Sequence, residues 1–254
     1  MPNNGLAPAV ALVLAGGLGS RMGRPKQFIE LLGAPALLYT LRAFEETPGI
    51  ARIYTVGDRT RIKDLVEEAG ISKYAGCAPP GESRSLSTKS GLRACQEDPR
   101  AVVLIHDGSR CLVTPDLITC IIETARGKVG ATLDRVQNSV AHGVPDGVVP
   151  ALPVSDTIKV ARNGTVLDTL DRAKLHAAQT PQAFRLGLLQ KVYSVSEESL
   201  RAATDDASLV ERAGGRVLVV AGEKTNIKLT SPEDLILAEA ILASRKGARF
   251  GARN

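Results

Sequence analysis

The sequence has no tryptophan and only four phenylalanines and four tyrosines among its 254 residues. Recognition of single-stranded nucleic acid relies on aromatic faces that stack against bases, so that class of partner is set aside. The formal charge of +5 does not restore it, because Arg245, Lys246, Arg249 and Arg253 lie in the last ten residues and leave the body near +1. The four cysteines, Cys77, Cys95, Cys111 and Cys120, form no C-x-x-C pair, and the three histidines, His106, His142 and His176, stand far apart. That spacing argues against a structural zinc site and against a disulfide framework. No apolar run approaches the roughly 20 residues of a membrane span. The apolar stretch from Ala7 to Ala15 carries its positive charges behind it, the reverse of a secretory segment. A cytoplasmic protein with neither membrane nor nucleic-acid partners is expected. Two phosphate-binding signatures are also missing. Lys26 is not followed by Ser or Thr as a Walker loop requires. Met22 stands where a dinucleotide fingerprint needs its third glycine, and Asp58 comes too late to be the ribose acid. A nicotinamide enzyme is therefore disfavoured.

What the chain does have begins at Leu12–Gln27, LVLAGGLGSRMGRPKQ. An apolar strand pattern stops at Gly16 and Gly17, Gly19 follows, and Arg21, Arg24 and Lys26 arrive directly afterwards. Glycines let backbone N–H groups converge on an anion, and the side chains behind them add full positive charge. Polyphosphate is the guest this order suits; the alternative is a tight turn with solvated basic residues.

Short apolar runs then alternate with helical periodicity. Helices are predicted over Pro35–Phe44, Ile62–Ala69, Ser85–Cys95 and Pro115–Ala125, the last with Thr114 as N-cap and Pro115 in its first turn. Strands are predicted at Ile53–Val56, Tyr74–Ala78 and Val102–Ile105. This β-α-β-α order implies an α/β fold with a mostly parallel sheet covered by helices on both faces. Val102–Ile105 runs into His106-Asp107-Gly108-Ser109-Arg110, and ligands of such sheets bind at the carboxyl ends of strands. Asp107 is thus either a Mg²⁺ ligand beside the phosphates or a cap for the turn before Ser109.

Residues 133–147 lose all periodicity and are expected to form an exposed loop, with His142 solvated. Val148–Val154 regains strand character, though Pro150 and Pro153 point to a bulge or an edge. Ile158 and Val160 precede an Asn163-Gly164 turn, a strong hairpin signal. An isolated hairpin is marginal in water, so this arm, about 155–178, is expected to lie on a second subunit. A helix is predicted from Ala183 to Tyr193, another over Ala207–Ala213 opened by Thr204-Asp205-Asp206, strands at Val217–Val220 and Asn226–Leu229, and a last helix from Ser231 to about Ala243. Residues 245–254 read as a disordered basic tail, leaving 1–244 as a single domain.

Six segments in register, LAGGLGSRMGRPKQF, HDGSR, PVSDTIK, TLDRAKLHAAQTPQAF, TDDASLVE and NIKLTSPEDLILAEAIL, together resemble the 2-C-methyl-D-erythritol 4-phosphate cytidylyltransferase family over nearly the whole chain. The resemblance implies a three-layer, Rossmann-like nucleotidyltransferase fold with a protruding β-arm. It also implies cytidylyl transfer from CTP to a polyol phosphate, Mg²⁺ as cofactor, and a homodimer built through the arm. Carried over by residue, Gly16, Gly17 and Gly19 would cradle the triphosphate, with Arg21 and Lys26 as its cations. Gly81, Glu82, Arg84 and Ser87 match the segment near cytosine and ribose. Asp107 matches the Mg²⁺ carboxylate, with Arg110 beside it. Thr157, Arg172, Thr204 and Lys228 match residues holding methylerythritol phosphate or the reacting phosphate, and Thr157 and Arg172 would reach into a neighbouring subunit's site. Ser109 and Cys111 depart from the pattern flanking the HD motif, and 133–147 looks like added length. Ribitol 5-phosphate cytidylyltransferase is the near rival, and a catalytically silent nucleotide-binding regulator a more distant one.

Overall fold

A computed structural model of the chain describes residues 8–17, 19, 23, 25–128 and 143–251, with side chains to 245. Its first strand, β1 (Ala9–Ala15), is buried on both faces. Ala9, Ala11, Val13 and Ala15 enter one core and Val10 and Leu12 the other, the two-residue alternation of a pleated strand. The chain then forms a 3-10 turn at Lys26–Phe28, a short hairpin of β2 (Glu30–Leu31) and β3 (Ala34–Pro35), α1 (Ala36–Glu46), β4 (Ile50–Gly57), α2 (Arg59–Ala69), β5 (Tyr74–Ala78), α3 (Arg84–Ala94), β6 (Val102–Asp107) and α4 (Pro115–Ala125). After residue 143 come β7 (Gly147–Pro153), β8 (Lys159–Arg162), β9 (Thr165–Thr169), β10 (His176–Ala178), β11 (Gln182–Arg185), α5 (Leu186–Val192), α6 (Glu197–Arg201), α7 (Asp206–Arg212), β12 (Val217–Ala221) and α8 (Pro232–Gly251).

The main sheet has eight strands in the order β10-β7-β11-β6-β1-β4-β5, with β12 joining β7. β6, β1, β4 and β5 are parallel, and β11 is antiparallel to both neighbours. One face is covered by α1, α2 and α4, and the other by α3, α5 and α7. Each buried Val, Leu or Ile contributes about 1.5–3 kcal/mol, so the two cores hold the sheet from both sides. β1 lies between β4 and β6, and the chain's return from β5 to β6 puts the topological switch at the β1/β6 boundary. Crevices in such sheets open there, beyond the strand ends.

Several predicted elements recur with their reasons visible. Thr114 caps α4 by accepting from Leu117 N at 3.1 Å. Asp205 caps α7 by accepting from Ser208 N at 3.0 Å. Asn163 and Gly164 take positive φ of 51° and 77°, the pair of values a two-residue hairpin turn requires. Others differ. The Ala183–Tyr193 segment is a helix only from Leu186; Gln182–Arg185 is inserted as a strand between β6 and β7, where Phe184 is fully buried. Asn226–Leu229 joins no ladder among the described residues and is instead fastened by the Asn226 side chain, which donates to Thr180 O at 2.9 Å, and by Leu229 N, which donates to Ser109 O at 2.9 Å. β7 is interior, and its Pro150 lies opposite the break between β10 and β11, where a missing N–H interrupts nothing.

The final helix passes Ala243 and continues to Gly251, so the basic end is helical rather than a tail as far as that residue. Arg245 fixes it by donating to Leu112 O at 2.9 Å and Thr225 Oγ1 at 3.0 Å. Of the stretch 133–147, residues 133–142, His142 included, lie outside the described residues. Gly143 and Val144 are exposed, and Asp146 pairs with Arg185 at 2.9 Å, away from the strand-end crevice.

Candidate active site

A crevice of about 540 Å³ opens at the switch point, lined by Leu14, Gly16, Gly17, Gly19, Lys26, Gln27, Gly81, Glu82, Ser83, Arg84, Ser87, Asp107, Ser109 and Lys228. Ten of the sequence-derived site residues are therefore brought together by four loops at the ends of β1, β5 and β6 and before α8. Arg21 lies outside the described residues.

The floor is set by close packing of glycine loops. A Cβ on Gly16 would stand 2.4 Å from Pro80 Cβ, and one on Gly81 would stand 2.6 Å from Leu86 Cβ, so neither position admits a side chain without a shift. Gln27, which sequence reasoning passed over, pins the first loop: its Nε2 donates to Ala15 O at 2.7 Å and Gly17 O at 3.2 Å. Ser87 Oγ accepts from Gly81 N at 3.0 Å and fixes the second loop. Glu82 turns outward to Arg201, 2.6 Å away.

Asp107 ends β6 with its carboxylate at the crevice, 8% exposed. Arg84 Nε donates to Oδ1 at 2.9 Å and Lys228 Nζ to Oδ2 at 2.6 Å. Burial alone would raise this carboxyl's pKa, but Arg84 and Lys228 outweigh it and hold it well below the usual carboxylate range. The Asp107 amide donates to Thr180 Oγ1 at 3.1 Å, and Arg84 Nη2 is a buried donor with no acceptor among the described residues. Lys26 Nζ spans the crevice mouth to Leu229 O at 3.1 Å and Thr230 O at 3.3 Å. Leu229 N in turn donates to Ser109 O at 2.9 Å, which places Lys228 over Asp107. Among the described lining residues, three cations against two carboxylates, one of them already neutralised by Arg201, give a surface suited to an anion.

The remaining sequence-derived residues fall elsewhere. Arg110 is absent from the lining; its guanidinium donates to Asn226 O at 2.9 Å and Ala178 O at 3.3 Å, joining two segments behind the crevice. Thr157 and Arg172 sit at the base of the β8–β9 arm, exposed, with Arg172 Nη1 on Ser155 O at 2.6 Å. Thr204 is exposed before α7. Ser109 lines the crevice, whereas Cys111 is buried and its thiol is pushed up to about 12 by that burial. Among the described residues, no three His, Cys, Asp or Glu side chains converge to cage a metal.

A single carboxylate still fits Mg²⁺, which commonly takes one or two protein carboxylates and completes its shell with substrate phosphates and water. Lys228 stands on Oδ2 with a flexible, 40% exposed side chain, so that oxygen is open to exchange. The arrangement can bind a polyphosphate, offset its charge from several sides and hold a second anion near Lys228.

A family model described as 2-C-methyl-D-erythritol 4-phosphate cytidylyltransferase matches residues 9–244. The protein of that name from Rubrobacter xylanophilus is 62% identical over 248 residues, covering 98% of this chain and 100% of its own. The one from Geobacillus kaustophilus is 42% identical over 240 residues, covering 92% and 97%. The crystal structure of 4-diphosphocytidyl-2C-methyl-D-erythritol synthase from Anaerococcus prevotii matches with a TM-score of 0.74 at 31% identity, over 93% of this chain and 96% of that one. The Francisella tularensis 2-C-methyl-D-erythritol 4-phosphate cytidylyltransferase structure matches with a TM-score of 0.73 at 27% identity, over 91% and 98%.

Proposed function

Because the chain belongs to the 2-C-methyl-D-erythritol 4-phosphate cytidylyltransferase family, we propose that the crevice at the end of β1 and β6 is where its reaction takes place. The enzyme is a nucleotidyltransferase that moves a cytidylyl group from CTP to 2-C-methyl-D-erythritol 4-phosphate, releasing pyrophosphate, in isoprenoid biosynthesis. The observation that carries the assignment of the site is the meeting of Lys26, Arg84 and Lys228 around Asp107 beneath the glycine loop.

The backbone of Gly16–Gly19 receives the triphosphate, with Arg21 and Lys26 on its oxygens. Gly81, Arg84 and Ser87 face the nucleoside, and Glu82, turned outward to Arg201, borders that loop. The attacking group is a phosphate monoester, mostly dianionic near neutral pH because its second pKa is about 6, so no general base is needed. The barrier is the approach of one anion to another, and the protein's part is to align both and offset their charge. Lys228 moves from Asp107 to the incoming phosphate. Asp107 would then hold Mg²⁺ together with the triphosphate; when bound, the ion neutralises phosphate charge and polarises the phosphorus under attack.

Three further assignments belong to this reading. The arm of β8 and β9 pairs with no other strand among the described residues and exposes Val166 (55%) and Leu167 (62%). A two-stranded arm has too little core of its own, which supports a homodimer in which Thr157 and Arg172 act at the partner's crevice. A cytoplasmic location agrees with four cysteines that form no disulfide among the described residues, and no helix among the described residues is long and apolar enough to cross a membrane.

The test follows pyrophosphate release from CTP with methylerythritol phosphate. Lys26→Ala should reduce kcat by roughly 10²–10³-fold, the scale of losing one preorganised charge on a developing anion, with the thermal melt unchanged. EDTA should stop the unsubstituted enzyme, and Mg²⁺ should restore it. Near-normal turnover by Lys26→Ala would move the site elsewhere, and turnover in EDTA would remove the metal from the account.

A further inference from the structure

Asp206, in the first turn of α7, is a fully buried carboxylate that lines no part of the crevice. Arg84 Nη1 lies 2.8 Å from its Oδ2, a close ion pair whose alignment falls short of a hydrogen bond on that oxygen. Tyr193 OH donates to the other oxygen, Oδ1, at 2.5 Å. Burial first, and the neighbouring Asp206 charge second, raise the Tyr193 pKa, so its hydroxyl remains a donor. On its other edge Arg84 donates through Nε to Asp107 Oδ1 at 2.9 Å. A single guanidinium therefore bridges two carboxylates, one in front at the crevice and one behind it.

Fold stability alone gives little reason for this arrangement. A buried ion pair recovers its desolvation cost only with very good geometry, and well-packed apolar groups often serve as well or better. Nor is Asp206 needed to cap α7, since Asp205 makes that hydrogen bond. What the rear carboxylate does supply is a second point of attachment. Held through Nε alone, a planar guanidinium pivots about one bond and follows Asp107 whenever that side chain turns toward a ligand. Held on two edges, it is fixed in place and in orientation.

We propose that Asp206, itself fixed by Tyr193, is a positioning residue that anchors Arg84 from behind and through it sets the Asp107 carboxylate, so that Oδ2 faces Lys228 and the crevice. The inference rests on the reading above, in which Arg84 and Asp107 serve the substrates. It explains why the TDDAS segment carries a second acid after its cap. It also places a determinant of activity on a helix that lines no part of the crevice.

The experiment is a double-mutant cycle on the full chain, reading kcat/KM for CTP alongside thermal melts. Asp206→Asn keeps the shape and removes the charge on which the ion pair depends. It should lower kcat/KM by roughly 10–100-fold, and Tyr193→Phe should lower it in the same direction by less. In an Arg84→Gln background Asp206→Asn should add no more than about twofold, because residues that act through one another are not additive. The same fold-loss in both backgrounds would mean that Asp206 acts on the fold at large, and an unchanged kcat/KM in Asp206→Asn would mean that it does not act; either overturns the proposal. Should Asp206→Asn not fold, Tyr193→Phe with and without Arg84→Gln gives the same cycle. Full activity of Arg84→Gln would reject the reading of the crevice and this inference with it. Impaired Arg84→Gln beside fully active Asp206→Asn would reject this inference alone.

Discussion

His106 is a buried side chain whose two ring nitrogens have opposite duties. The Asp107 amide can only donate to Thr180 Oγ1, so the hydroxyl hydrogen goes to His106 Nδ1, 3.0 Å away. The Arg110 carbonyl can only accept, so Nε2, 3.1 Å from it, carries the proton. The ring is neutral, and burial lowers its pKa from 6.5 to about 4. An unfolded chain takes up that proton near pH 6.5 while the folded chain does not until about pH 4. The contribution to stability is therefore complete above pH 6.5 and declines through that window, by at most about 3 kcal/mol. Asp107, whose pKa is depressed, loses its contribution only as pH falls below its ordinary value of 3.8, so the upper part of the window belongs to the histidine. The Tm should fall between pH 6.5 and 5, and His106→Gln should flatten that slope even if its Tm is lower throughout; parallel slopes would refute the assignment.

At the scale of elements, the site depends on how closely the loop after β1 lies on the loop after β5. Gly16→Ala would place its Cβ 2.4 Å from Pro80 Cβ, and overpacking of that kind typically costs about 1–3 kcal/mol. Gly17, whose added Cβ would meet nothing within 4 Å, is the control. Thermal melts should therefore separate the two alanine variants by several degrees, Gly16→Ala lower, and CTP KM should rise for Gly16→Ala; equal melts would show that the loops are free to separate. The elements legible in the sequence are those whose pattern is local: β1, the Asn163-Gly164 hairpin, and α4 with its Thr114 cap. Those misread depend on distant partners. Gln182–Arg185 is a strand because β6 and β7 accept it on either side, and no local period shows that. The site divides in the same way. Gly16–Gly19 and Asp107 stand at strand ends and are visible as such. Lys228 needed the family resemblance, and Asp206 and Gln27 gave no signal of their role because their contacts cross the chain.

For the whole molecule, the residues carried over from the family fall into two groups that one subunit keeps apart. Lys228 lines the crevice, while Arg172 lies at the foot of an arm whose residues 159–170 are all exposed. If the arm serves a partner's crevice, each active site of a homodimer takes Lys228 from one chain and Arg172 from the other. Arg172→Ala and Lys228→Ala homodimers would then both be inactive, each lacking one component at both sites. A mixed dimer behaves differently. One of its crevices collects both substituted residues, and the other is intact. Random exchange of equal amounts makes half the dimers mixed, so mixing two inactive proteins should restore roughly a quarter of the unsubstituted activity. That recovery should appear only after subunit exchange, which dilution or mild denaturant can drive and light scattering can follow. No recovery, from proteins shown to have exchanged, would mean that Arg172 serves its own subunit or none, and the arm would then hold the dimer together without completing its sites.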